Sequence, residues 1–305
     1  MTRLFISPET TLRCGDLAVT LAPAAGGRIT RLVSTRGGTA TDWLVPLDDA
    51  TREAGFEPTA WPKAGCYPLL PFSNRIRQGA FSSAGRTALL PLHPGERHAL
   101  HGGAQQRPWR ITAQEAGSAT MAYSHDCGQQ GWPWSYRAEQ VVTLGERSLT
   151  LEMRVTNTDD AEMPCGMGFH PYIPARFAHR ISFQADAVWA PDAEFLATAP
   201  EPVSAGDDYA TPRALADAEL TQYYGAWHGE ATLASADGAA IHLVGDTALR
   251  HLVLHRPLGR GYFCVEPVSH VANAAHLQAR HPGTGWLQLP PGASAACRMV
   301  LQLTG

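Results

Sequence analysis

Apolar and polar residues alternate strictly along Leu149-Thr-Leu-Glu-Met-Arg-Val-Thr156, so Leu149, Leu151, Met153 and Val155 share one face of a predicted strand whose other face is wet. Upstream, Ala138–Leu144 reads as a second strand, and Gly145-Glu-Arg-Ser148 between them predicts a hairpin with a four-residue loop. Shorter runs of the same kind are Leu17–Leu21, Ile29–Val33, Thr87–Leu92, Ile241–Val244, Leu252–Leu254, Tyr262–Val265, Trp286–Leu289 and Cys297–Leu303. Helical periodicity is confined to Pro212–Leu220, enough for two turns. No alternation of strand and helix supports a doubly wound or barrel-type parallel sheet, and no repeat supports a propeller or solenoid. The stretches Asp48–Ala64 and Ala187–Asp217 read as long loops of the same domain, because neither turns to linker composition. The pattern predicts an all-β chain, one large β-sandwich domain over residues 1–305 with few short helices.

Composition sharpens this reading. The 29 glycines and 23 prolines supply the turns that many short strands need. With 24 basic and 28 acidic side chains the formal net charge is −4, which offers no footprint for nucleic acid or an anionic membrane. No apolar run approaches the roughly 18 residues of a spanning helix, and the N-terminal MTRLFISPETTLRCGD lacks the apolar core of a signal peptide. A cytoplasmic protein with neither nucleic-acid nor membrane partners is expected. The cysteines at 14, 66, 127, 165, 264 and 297 are scattered without a C-x-x-C pair, and read as reduced, mostly buried thiols.

Four segments are too polar and too aromatic for ordinary sheet: Pro68–Phe81, His98–Trp109, Gly166–Tyr172 and Cys264–Asn273. Their chemically capable groups are Asn74, Arg75, His98, His101, His170, Glu266 and His270. A histidine and a glutamate brought together suit proton transfer near neutral pH. Acid–base chemistry on a neutral polar substrate, a histidine metal site and a binding cleft without chemistry all remain open at this point. His93, His98 and His101 are not spaced as a recognised ligand set, so no metal is expected, and no phosphate loop or nucleophile elbow occurs. His93, His125, His179, His228, His251 and His255 read as ordinary surface or core residues. Trp132-Pro-Trp134, Tyr136, Tyr223-Tyr224 and Trp227 offer flat faces of the kind on which a pyranose packs, with core filling as the bland alternative for each.

In this order and spacing, the segments resemble the aldose 1-epimerase (galactose mutarotase) family. The matching motifs are SNRIRQGAF at 73–81, LHGG with the following RPW within 100–109, GFHPY at 168–172 and CVEPVSHVAN at 264–273. Two further stretches also match: GQQGWPW at 128–134 with Tyr136-Arg-Ala-Glu-Gln140, and Pro290–Ala295. The resemblance spans about residues 15–303. It implies a β-supersandwich and a cofactor-free isomerase that interconverts the anomers of a free aldose. Carried over by position, His170 would protonate the ring oxygen and Glu266 would take the anomeric hydroxyl proton. His101 and Arg75 would bind the sugar, Asn74 would hold their loop, and Trp227 is expected to contribute to binding. The implied partner is a small sugar, with a monomer or homodimer both admissible. Two departures stand out: the histidine lies in GFHPY rather than the N-H-x-Y-F context of the better-known mutarotases, and Thr221 stands where those enzymes resemble one another in an aspartate. Alternatives are an epimerase of a phosphorylated hexose, with Arg77, Arg107 and Arg110 as conceivable phosphate contacts, a sugar-binding protein without turnover, and a metal-dependent lyase or isomerase of a sugar acid.

Overall fold

The computed structural model describes residues 3–305, and antiparallel β-structure dominates it. The predicted hairpin forms from strands Tyr136–Gly145 and Ser148–Asn157, paired from Tyr136↔Asn157 to Gly145↔Ser148. The ladder therefore consumes Gly145 and Ser148, and the loop is the two residues Glu146-Arg147 rather than four. Along Ser148–Asn157 the apolar members Leu149, Leu151, Met153 and Val155 are all buried, as their period requires. Strand Ser294–Thr304 continues the sheet, pairing with Ser148–Asn157 on one side and Ala240–Gly245 on the other. The architecture is the all-β sandwich that the alternation predicts, with only the short α-helices Asp49–Ala54 and Ala274–Leu277 among the described residues.

Three local expectations fail for identifiable reasons. Pro212–Leu220 is not helical, because its backbone is spent on neighbours: Arg213 and Ile181 exchange hydrogen bonds and Leu215 N–H donates to the Ala178 carbonyl. Asp48–Ala64 instead contains the helix Asp49–Ala54, capped by the Asp48 carboxylate, which accepts from Thr51 N–H at 2.8 Å. Ala187–Asp217 is not all loop, since strand Arg180–Pro191 runs into it and Ala197–Pro202 folds back on that strand from Ala187↔Pro202 to Pro191↔Ala197.

Five strands carry the part of the sheet that matters for function. Gly168–Pro174 pairs with Cys66–Leu69 and with Tyr262–Val268, and the latter pairs with His251–Arg256. His251–Arg256 in turn pairs with the first half of Leu220–Ala234. Gly168–Pro174 and Tyr262–Val268 are buried on both faces over nearly their whole length.

Candidate active site

The register that sets Gly168 against Val268 and Tyr172 against Cys264 puts His170 directly across from Glu266. It continues through Val253↔Glu266 and Tyr223↔Val253, while the next row runs Tyr172↔Cys264, His255↔Cys264 and Thr221↔His255. Since side chains alternate between faces, these two rows point the same way and, Tyr223 apart, floor a cavity of about 290 Å³. That volume lies near the small end of ligand pockets, roughly 300–1,000 Å³. Asn74, Arg75, His101, Phe195, Trp61, Lys63 and His93 form its walls.

His170 and Glu266 meet at Nε2–Oε1 3.3 Å with side chains only 7% and 3% exposed. The His170 ring stacks on Tyr67 and Tyr172, each centroid 4.7 Å away. Burial drives the two titrations apart. The Glu266 carboxyl is pushed up to about 8, the nearby Arg75 guanidinium opposing the rise, and His170 is held well below its usual range by burial, with the neighbouring His101 ring adding to the effect. A raised carboxyl is a stronger base and a depressed imidazolium a stronger acid, the separation that assigns the two roles in an acid–base pair. His170 Nδ1 and Glu266 Oε2 have no hydrogen-bond partner in the protein, a cost tolerated in functional sites.

The wall is locked by backbone geometry. Asn74 and His101 both adopt left-handed conformations, φ 54° and 63°. They bond each other reciprocally: Asn74 N–H donates to His101 Nδ1 at 3.1 Å and His101 N–H to the Asn74 carbonyl at 2.9 Å. The ladder of Arg75–Arg77 with His98–Leu100 runs on directly from this clasp. Gly102, at φ 62°, lies so close to the Leu70 carbonyl that a Cβ would come within 2.1 Å of its oxygen, so only glycine fits there. Arg75 donates from Nε and Nη2 to both oxygens of Glu96 at 2.7 and 2.8 Å, which fixes the guanidinium in the wall.

Five of the seven chemically capable residues thus line one cavity: Asn74, Arg75, His101, His170 and Glu266. The other two are latches. His270 accepts from Ser73 N–H at 2.9 Å and its other nitrogen bonds the Val271 carbonyl, while His98 accepts from Gln78 N–H at 3.1 Å. Trp227 is not in the cavity. Its strand changes partner between Gly225 and Glu230, with Ala226 left-handed at φ 48°. This turns the indole into the core, where it packs against Gly245 and donates to the Glu230 carbonyl at 3.1 Å. Trp132, Trp134 and Tyr136 are core residues as well. The aromatic faces of the cavity are Trp61, Tyr172, Phe195 and Tyr262. Phe195 stands over Arg75 at 4.9 Å, and its carbonyl accepts from the Tyr223 hydroxyl at 2.7 Å.

His93 and His255, expected to be ordinary, also line the cavity, and His255 Nδ1 lies 2.9 Å from the Thr221 hydroxyl. Arg107 and Arg110 do not line it, and Arg77 faces Asp192 at 3.8 Å. His93, His98 and His101 do not converge as metal ligands among the described residues; the group that does is His170, Cys264 and Glu266, whose ligand atoms lie within 4.8 Å of one another. Burial pushes the Cys264 thiol well above its usual range. Phe195, His255 and Lys63 carry no motif. The alternation within Leu252–Leu254, extended by one residue, is the one signal that could have put His255 on the face of Val253.

The sequence profile of the family described as aldose 1-epimerase matches residues 18–302. The uncharacterized protein YphB of Escherichia coli K12 is 29% identical over 250 residues, covering 79% of this chain and 84% of its own. A crystallised E. coli K12 protein provisionally described as an aldose 1-epimerase superposes with a TM-score of 0.83 at 27% identity, over 97% of this chain and 98% of its own. A galactose mutarotase-like protein of Clostridium acetobutylicum shares the fold, with a TM-score of 0.84 at 17% identity over 97% and 94% of the two chains. With a single buried His–Glu pair at the floor of its cavity and the family profile matching nearly end to end, the chain belongs to the aldose 1-epimerase family.

Proposed function

We propose that the chain, acting as a single domain, interconverts the α and β anomers of a free aldose without a cofactor, His170 and Glu266 moving the protons. The observation that carries this reading is the buried His170–Glu266 contact at 3.3 Å, whose members are shifted in opposite directions.

Ring opening of a hemiacetal removes one proton from O1 and adds one to O5 while the C1–O5 bond breaks. The Glu266 carboxylate takes the first proton and the His170 imidazolium gives the second, so the pair carries one proton before and after the step. After opening, His170 is neutral and Glu266 is protonated, which is the arrangement that burial favours. The aldehyde turns about C1–C2, Glu266 protonates its oxygen, His170 takes the proton of the C5 hydroxyl, and the ring recloses as the other anomer. In the empty cleft the proton rests on Glu266, and transfer across the 3.3 Å contact to His170 prepares the closed sugar for reaction. Arg75 and His101 hold the sugar, and Asn74 fixes their loop through its contact with His101.

Exchange spectroscopy on the anomeric protons of glucose and galactose tests this. Acceleration that persists in EDTA is expected; no acceleration with any aldose leaves a binding protein. A metal-assisted reading has one observation in its favour, the convergence of His170, Cys264 and Glu266. Loss of exchange in EDTA, restored by Zn²⁺, would replace the proton-pair account by that one.

A further inference from the structure

Of the 24 basic side chains in the sequence, 23 are arginine and one, Lys63, is lysine. That single lysine lines the catalytic cavity. A chain that meets its other cationic needs with guanidinium has an amine at one position only. A compact ammonium and a planar fork do not substitute for each other where a ligand is held.

Lys63 is also the cation of the cavity that nothing in the protein neutralises. Arg75 is bound to both oxygens of Glu96. The histidines of the cavity, His93, His101, His170 and His255, are kept towards their neutral forms by burial, and Glu266 is protonated at neutral pH. Lys63 makes no ion pair or side-chain hydrogen bond among the described residues; its Nζ stands 4.5 Å from the centroid of Trp61 at the exposed mouth. Burial lowers the pKa of the Lys63 ammonium, and the Arg28 charge adds to this; with the ammonium held, Lys63 and Arg75 against Glu96 leave the cavity with one net positive charge, in a chain whose own net charge is −4.

Its location says which part of a sugar it would meet. Trp61, beneath Lys63, lies 5.7 Å from His101, and His101 lies 5.1 Å from His170. Lys63 therefore belongs to the ring-oxygen side of the acid–base pair. With O1 at Glu266 and O5 at His170, the C5 substituent extends beyond O5, away from Glu266.

We infer that Lys63 recognises an anionic group attached to C5 of the aldose, the carboxylate of a hexuronate or an oxyanion borne on C6, and so makes charged aldoses the preferred substrates. This rests on the mutarotase reading of the cavity. It differs from a phosphate site built on Arg77, Arg107 and Arg110, of which none lines the cavity.

The test is anomeric exchange with glucuronate, glucose 6-phosphate and glucose, using the wild-type chain, Lys63→Met and Lys63→Arg. A charge-assisted contact predicts kcat/KM at least about tenfold higher for a charged sugar than for glucose, a ratio that Lys63→Met collapses and Lys63→Arg partly retains. Whichever of glucuronate and glucose 6-phosphate leads identifies the anion. Equal turnover of charged and neutral sugars, or an unchanged ratio in Lys63→Met, overturns the inference. If the wild type exchanges no sugar, the mutarotase reading fails instead, and calorimetric titration decides this one. Glucuronate binding about tenfold tighter than glucose, lost in Lys63→Met, upholds it, and equal affinities overturn it.

Discussion

Two histidine–carboxylate pairs in this molecule look alike on paper and differ in what they can do. His228 Nε2 meets Asp186 Oδ1 at 2.8 Å, closer than the 3.3 Å between His170 and Glu266. The closer pair is open to water, its side chains 50% and 67% exposed, whereas the catalytic candidates are 7% and 3% exposed. Water screens the first pair, so its contact is worth little. The second pair is buried, so burial opposes charge on either partner and pushes the two titrations apart. The proposed acid–base capacity rests on the doubly covered strands Gly168–Pro174 and Tyr262–Val268, not on contact distance.

The comparison breaks most decisively at His170. His170→Asn is expected to lower anomer exchange by about a hundredfold or more, since a general acid contributes on the order of 10² to 10⁴ in rate; exchange above about a tenth of wild type would remove it from the mechanism. His101→Ala and Arg75→Ala should cost about ten- to a hundredfold in kcat/KM through weaker sugar binding, and unchanged kinetics in both would put the sugar elsewhere.

The pH profile sharpens the contrast. The pair works while it carries one proton, so kcat/KM should fall on the alkaline side with an apparent pKa near the Glu266 value of about 8. It should also fall in acid, below the ordinary histidine range, as the pair takes a second proton. A rate independent of pH between 5 and 9 would contradict a shared proton.

Stability should respond to acid as well. His251, His255 and His270 are depressed by burial to about 4, so the unfolded chain binds more protons than the folded one between about 6.5 and 4. Stability held above that window is lost as pH falls through it, at up to about 1.4 kcal/mol per unit for each fully buried ring. Glu266 acts oppositely, costing stability as pH rises from 4.5 towards about 8, but it is one group against three. A Tm several degrees lower at pH 5 than at pH 7 is expected, and an equal or higher Tm would show that these rings are charged in the fold. At the small end, His228→Gln should change stability by less than about 0.5 kcal/mol and exchange by less than about twofold.

Much of this was legible in the sequence where one side of a strand meets water. Ser148–Asn157 announces itself by alternation, and its buried face is the predicted one. Gly168–Pro174 and Tyr262–Val268 are covered on both faces, so period two vanishes there, and the candidate residues on them stand out by motif and not by alternation. Trp227 was misplaced because the strand's change of partner near Ala226 leaves no mark in composition. Phe195 and Lys63 reach the cavity from a loop and from the stretch after Asp49–Ala54, contacts made only when distant segments meet. The helix Asp49–Ala54, capped by Asp48 and closed at Gly55, is six residues long, too short to show a helical period within a stretch that reads as loop.

The most direct test of the acid–base account is anomer exchange by Glu266→Gln, measured at neutral pH on folded protein beside its sugar affinity. The amide keeps the shape and cannot take the O1 proton. The account predicts loss of acceleration with sugar affinity within about tenfold of wild type. Exchange above about a tenth of the wild-type rate would contradict it.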